Sequence, residues 1–347
     1  MKNRCTIITR VYTDQGIVGE AYNADTDEDQ YHIVSLIENN LAPRLIGLDA
    51  SRSEACWSAM LLATFDQLAH RWLTMQAVAC VDTAIWDAIG KSLDVPLWKL
   101  WGGAHETISI IGIGGYYCTG APGEISIEDD VRHFVDLGVA GMKFKIGGRT
   151  PQEDAERMKI AVASAPADFF FSVDANQGYT LAEALEFARL TEDVVSLRWF
   201  EEPCRWYNDI RSMHDFRLIS GIPVSAGQSE ISRHGMSHLI NSGAIDISNF
   251  DASWGGGPTE WRRVAAHAAI HDMGVGHHEE AHLSIHLLAS VPHGTCIEVF
   301  HPDRDPIYWN MIENLPTINN GEVAAPLGAG LGLNLDADYI KRYRVDK

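Results

Sequence analysis

GMKFKIGG at 141–148, FFFSVDANQGY at 169–179 and LRWFEEP at 197–203 are the stretches on which the fold turns. Each is a short apolar run carrying charged side chains near its end: Lys143 and Lys145, then Asp174, then Glu201. Two helix starts separate them. Thr150-Pro151-Gln152-Glu153 is a capping box with proline at the first helical position, and Thr180-Leu181-Ala182-Glu183 repeats the box. Working outward, similar strands recur as IPVSAGQSE (222–230), IDISNFDAS (245–253), GVGHHEEAH (274–282) and CIEVFH (296–301). Upstream lies TISIIGIGGYY (107–117). Strands alternating with helices predict a parallel sheet. Eight of them over about 200 residues predict a closed barrel rather than an open sheet.

Polar residues that an apolar strand does not tolerate stand near the C-terminal ends of these strands. They are Lys143 and Lys145, Asp174, Glu201, Gln228, Asp251, His278 and Glu298. From Lys145 onward the gaps are 29, 27, 27, 23, 27 and 20 residues, and one unit of an eight-fold barrel takes roughly 31. The spacing therefore gathers them on the top face, where barrel active sites lie. Solvated residues at loop starts would explain isolated cases but not seven consecutive strands.

Lys143 and Lys145 are two apart, so both point inward while Met142, Phe144 and Ile146 face the helices. Two neighbouring ammonium groups are expected to depress each other's pKa, which suits one of them to act as a base. Asp174 and Glu201 are hard oxygen donors suited to magnesium; salt bridges to the lysines are the competing explanation. Asp251 and His278 lie one unit apart, where a carboxylate orients an imidazole and raises its basicity. Tyr116, Tyr117, Arg205, Trp206 and Tyr207 fall near the expected mouth and suit a hydroxylated substrate.

The first hundred residues read differently. CTIITRVYTDQGIVGEAY (5–22) is two strands joined by a turn at Asp14-Gln15-Gly16. MQAVACVDTAIWDAIGKSL (75–93) has helical spacing and stops at Asp94-Val95-Pro96. The glycine-rich stretch from about Asn319 reads as a tail folding back on something larger. The expected division is an N-terminal α+β domain over 1–106, the barrel over 107–310, and a returning segment over 311–347.

Twenty-seven basic against 47 acidic side chains leave a formal charge of -20. That balance argues against nucleic acid, whose binding needs a basic footprint, and against an anionic membrane surface. A metal ion would still let so acidic a chain bind anions. No apolar run is long enough to span a bilayer, and residues 1–20 do not read as a signal peptide. Six scattered cysteines without a C-x-x-C pair read as reduced packing residues of a cytoplasmic protein. His278-Glu279-Glu280-Ala281-His282 matches the zinc-protease pattern, but that pattern needs a helix and here follows a strand-like Gly274-Val275-Gly276. The GIGG at 112–115 lacks the Lys-Ser/Thr and helix start of a phosphate loop.

Taken together, these motifs resemble the enolase superfamily, in its mandelate racemase and muconate lactonizing enzyme branch. TDQGIVGEAY resembles the capping-domain hairpin, VDTAIWDAIGKSLDVPLWKLWGG the entry to the barrel, and KFK the catalytic K-x-K strand. VDANQGY and FEEP resemble the first two metal-ligand strands, DASWGGGPTEW and the histidine pair the Asp and His strands, and CIE the final glutamate strand. The resemblance implies a modified (β/α)7β barrel under an α+β capping domain formed by both termini, and a homo-oligomer. It implies one magnesium ion on Asp174 and Glu201, Lys145 as base with Lys143 beside it, and His278 held by Asp251 acting on the opposite face. Glu298 would bond the substrate carboxylate, and Asn176 would hold substrate or a metal-bound water.

Two departures stand out. The third metal ligand is usually a glutamate, whereas this chain has Gly227-Gln228. The glucarate-dehydratase-like branch is similar in using an amide there, so Gln228 is one candidate and Glu230 the other. Against the resemblance, the family's first strand and the mobile loop after it are expected to be missing before Lys2. The implied activity is magnesium-dependent dehydration of a sugar acid through an ene-diolate. The alternatives are racemisation or epimerisation of an α-hydroxy acid, and a metal-deficient non-catalytic homologue.

Overall fold

The computed structural model describes residues 4–23, 29–117 and 124–345. Its first elements are the antiparallel strands β1 (Ile7–Tyr12) and β2 (Val18–Asn23), joined by the turn expected at 14–16. They lie on the helix Arg71–Leu93, whose residues 73–90 are all buried. Such a helix needs no amphipathic stripe, because it is covered on several sides. The approach is close: a Cβ on Gly19 would sit 2.0 Å from the Ala84 carbonyl oxygen. The helix ends at Asp94 in the left-handed conformation, φ 54°, immediately before Val95-Pro96.

Eight strands follow: β3 (Thr107–Gly114), β4 (Gly141–Lys145), β5 (Phe170–Asp174), β6 (Phe200–Glu201), β7 (Val224–Ala226), β8 (Ile247–Ser248), β9 (Gly274–Val275) and β10 (Cys296–Phe300). Each neighbouring pair from β3 to β9 is parallel. Strand β10 returns parallel to β3, with Glu298 opposite Ile111. A parallel bridge from Val275 to Gly294 joins the β9 and β10 sides, and the barrel is closed. Among the described residues seven α-helices connect the eight strands, and Thr150 and Thr180 close their capping boxes as expected. The strands are shorter than the apolar runs. Gln228, Asp251 and His278 lie two or three residues past their strands, on the loops of the top face.

The chain's end serves both parts. The hairpin β11 (Ile318–Asn319) and β12 (Glu322–Ala324) adds antiparallel to the outer end of β3. Further on, Leu97 N–H donates to the Gly330 carbonyl and Trp98 Nε1 to that of Pro326. Asp87 ties three segments together. Its carboxylate accepts from Glu20 N–H and Leu331 N–H, both at 2.7 Å, and pairs with Lys91 at 2.6 Å. Asp87→Ala strands two backbone donors, so it is expected to cost roughly 2–4 kcal/mol. Urea unfolding measures the loss, and a change of less than about 0.5 kcal/mol would refute this role.

The described cysteines, at 5, 56, 80, 204 and 296, are all free; Cys118 lies outside the described residues. Among the described residues no helix is long and apolar enough to cross a membrane.

Candidate active site

Register builds the centre of the site. Lys145 on β4 lies opposite Asp174 on β5, which lies opposite Glu201 on β6. Side chains at matched positions of neighbouring strands share a face, and here that face is the barrel interior. Lys145 Nζ sits 2.6 Å from Asp174 Oδ2 and donates to Asn176 Oδ1 at 2.9 Å. Lys143, fully buried, sits 2.7 Å from Glu201 Oε1, 2.6 Å from Glu298 Oε1 and 4.0 Å from Asp174 Oδ2. Asn176 N–H and Trp199 Nε1 donate to the outer oxygens of Asp174 and Glu201.

The lysines do not behave as two repelling cations. Burial works against both ammonium groups. The carboxylates outweigh it: Glu201, Glu298 and Asp174 raise Lys143 well above its ordinary range, and Asp174 with Tyr116 raises Lys145. The expected depression is present but outweighed: Lys143 lowers Lys145, and the facing Asp174 raises it by more. Asp174, despite burial, is held below the usual carboxylate range by Lys145 and Lys143. Burial and the neighbouring Asp174 and Glu298 push Glu201 the other way, against Lys143.

The loops after β8 and β9 bring in the second group. His278 Nδ1 lies 2.9 Å from Asp251 Oδ2, while Ser253 N–H and Oγ donate to Asp251 Oδ1. The carboxylate is thereby fixed and in turn fixes the imidazole. Glu298 joins the two halves, since its Oε1 meets Lys143 and its Oε2 accepts from Glu279 N–H at 3.1 Å.

Gln228 is buried at the end of β7, and its Oε1 has no hydrogen-bond donor. Glu230 turns away: a Cβ on Gly235 would collide with its carboxylate, which places that side chain against the first turn of the helix Arg233–Asn241. That position argues against Glu230 as a ligand. Among the described residues no three His, Cys, Asp or Glu side chains converge as a metal cage.

The tyrosines separate. Tyr116 lies with its ring 5.9 Å from Lys145 Nζ and 3.8 Å from the Arg304 guanidinium carbon, and burial raises its pKa to about 12. Tyr117 does not present its hydroxyl to this space. That hydroxyl donates to Asp154 at 2.8 Å and accepts from Gly148 N–H, and Tyr179 and Arg157 converge on the same Asp154. The expectation of a substrate contact at Tyr117 is corrected to a brace under the β4 loop. Trp206 and Tyr207 are exposed on a short turn, and Arg205 reaches Glu183 at 3.9 Å. The zinc pattern also dissolves: His282 stacks on Tyr22 at 3.7 Å and meets its carbonyl, so it points into the cap, away from the Asp251 side.

Sequence reading missed Glu202, Glu279 and Arg4. Glu202 is buried beside Glu201, held by Gln177 and Ser229, with a pKa raised to about 7 by burial and then by Asp174. The doubled acid in FEEP was its only signal.

A closed parallel barrel with lysines, acids and a carboxylate-held imidazole at its strand ends, under an α+β cap, is the architecture of the enolase-type enzymes. The chain belongs to that superfamily, in the mandelate racemase and muconate lactonizing enzyme branch. Residues 1–102 match the "Mandelate racemase / muconate lactonizing enzyme, N-terminal domain" and residues 126–339 the "Enolase C-terminal domain-like" family. It is 29% identical over 350 residues to arabinonate dehydratase of Saccharolobus solfataricus, covering 97% of this chain and 90% of that protein. It is 27% identical over 344 residues to 3,6-anhydro-alpha-L-galactonate cycloisomerase of Streptomyces coelicolor, covering 98% and 91%. A mandelate racemase/muconate lactonizing enzyme from a marine actinobacterium, crystallised in complex with magnesium, superposes with a TM-score of 0.95 at 51% identity. That match covers 99% of this chain and 95% of the other.

Proposed function

We propose that this chain is a magnesium-dependent dehydratase of a sugar acid, working in the cytoplasm. The observation that carries the reading is the pairing of Lys145 with Asp174 and of His278 with Asp251 at separate strand ends of one barrel mouth. Dehydration needs a base for the proton α to the carboxylate and an acid for the leaving hydroxyl, and two separately held groups supply them. The dehydratase and cycloisomerase relatives support a sugar-acid substrate.

The residues fit a magnesium ion. Asp174 and Glu201 lie side by side, and the orphaned, buried Gln228 Oε1 is an oxygen still needing a partner. These three would hold the ion, whose charge would stabilise negative charge gathering on the substrate carboxylate. The rest belongs to the chain. Lys145, which must first lose the proton that Asp174 holds on it, takes the α proton as a free amine, and the C–H electron pair moves into an ene-diolate. Lys143 holds the carboxylate end as its charge grows, and Glu298 would donate to it in the carboxylic-acid form. His278 gives a proton to the β-hydroxyl, whose C–O bond breaks with loss of water. The resulting enol becomes a 2-keto-3-deoxy acid by tautomerisation. A panel of sugar acids assayed for that product with magnesium tests the reading; no product from any of them would reject it.

The second reading is an isomerase, favoured by the similarity to the cycloisomerase. It predicts a rearranged product of unchanged mass instead of loss of water.

Gln228 offers a test at the metal itself. Gln228→Ala removes an oxygen donor and should weaken magnesium at least about tenfold, whereas Gln228→Glu should tighten it. Calorimetric titration of magnesium reads both without substrate. Unchanged affinity in Gln228→Ala would remove Gln228 from the ligand set.

A further inference from the structure

Glu279 sits beside His278 in the left-handed region, at φ 52°, with Glu280 following at 43°. Non-glycine residues rarely occupy that region without a surrounding structure that holds them there. Here the holding is visible. Glu279 Oε1 lies 3.2 Å from His278 Nε2, and Glu279 Oε2 lies 3.2 Å from Arg4 Nη2. Arg4 Nε in turn meets Asp305 Oδ1 at 3.2 Å, and the guanidinium lies 5.0 Å from the Phe300 ring. Both side chains of the Arg4–Glu279 pair are largely buried, 8% and 12% exposed. The first described residue of the cap is thus linked, through Glu279, to the imidazole in the barrel.

Asp251 occupies Nδ1, so Nε2 carries the only imidazole proton open to transfer, and Glu279 is the group facing it. We propose that Glu279, held by Arg4, is a positioning residue that keeps His278 as an imidazolium and so commits it to act as an acid. The inference rests on the dehydratase reading and deepens it. A racemase that works on both enantiomers needs each of its two facing groups both to give and to take a proton, which calls for pKa values near the working pH. An imidazole between two carboxylates is kept protonated at neutral pH, so it has a proton to give when a hydroxyl is expelled.

The surroundings agree. Asp251 faces His278 from the β8 loop, Glu279 from its own loop and Glu202 from the end of β6; His277 adjoins it in the chain and the Trp254 ring lies 5.0 Å away. Burial opposes the charged form, and Glu279 and Asp251 more than reverse it, raising His278 well above its ordinary value.

The test is the proton titration of His278, followed by NMR in histidine-labelled protein and assigned by the signal lost in His278→Asn. In Glu279→Gln the midpoint should fall by about one pH unit or more, a tenfold loss of proton affinity. Glu279→Asp, which keeps the charge, should retain most of the original value. On a turned-over sugar acid, the high-pH limb of kcat/KM in Glu279→Gln should shift down with the titration. Exchange of the α proton with deuterated solvent should stay near the wild-type rate. A His278 midpoint within about 0.3 unit of wild type in both variants would overturn the proposal. That readout needs no substrate, so it stands apart from a failure to find one.

Discussion

Lys145→Met is expected to lower turnover of the sugar acid by about three orders of magnitude, the middle of the range that a positioned proton-transfer group contributes. The substitution keeps most of the stem and removes only the ammonium. Lys145 lies in the interior at the end of β4, bonded to Asp174 and Asn176 rather than packed into the apolar core. Asp174 keeps the Asn176 N–H at 2.8 Å and Lys143 at 4.0 Å, so the fold should survive. Two measurements separate the base from a structural ion pair. Exchange of the α proton with deuterated solvent should disappear together with turnover. Magnesium affinity should hold or rise, because Asp174 loses its competing cation. Exchange at the wild-type rate would show that another residue takes the proton, and would end this assignment.

What the sequence makes legible here is whatever repeats. The polar residues at strand ends recur at one barrel unit, and the capping boxes at Thr150 and Thr180 announce their helices locally. Asp87 could be seen as part of a helix but not as a three-way tie, because its partners at Glu20 and Leu331 are distant in the chain. Arg4 and Glu279 are 275 positions apart, and no periodicity connects them. The pKa expectation for the lysines failed for a related reason. Spacing places two ammonium groups together but says nothing of the carboxylates that three other strands aim between them. Tyr117 was misplaced because Asp154, which captures its hydroxyl, lies on a helix that sequence assigns to the outer layer. Glu230 and Gln228 are two residues apart, and only the turn after β7 decides which faces inward.

His278→Asn should separate the two proton transfers. Asparagine keeps a donor near Nδ1 and thus some hold on Asp251, but it cannot deliver a proton to a leaving hydroxyl. Dehydration should fall by about two to four orders of magnitude. The α proton belongs to Lys145 in this scheme, so its exchange with deuterated solvent should continue in His278→Asn. Abstraction would become a reversible step with no exit. The opposite pattern is equally readable. If His278 removes the proton, exchange vanishes in His278→Asn and survives in Lys145→Met. Loss of exchange in both variants would mean that neither transfer proceeds without the other, as in a concerted elimination. The geometry favours the first pattern. Lys145 is bonded to Asp174 beside the expected metal, where the carboxylate end of the substrate would sit. His278 is held by Asp251 on one nitrogen and faces Glu279 with the other, an arrangement that keeps it protonated and so supplies the proton a leaving hydroxyl needs.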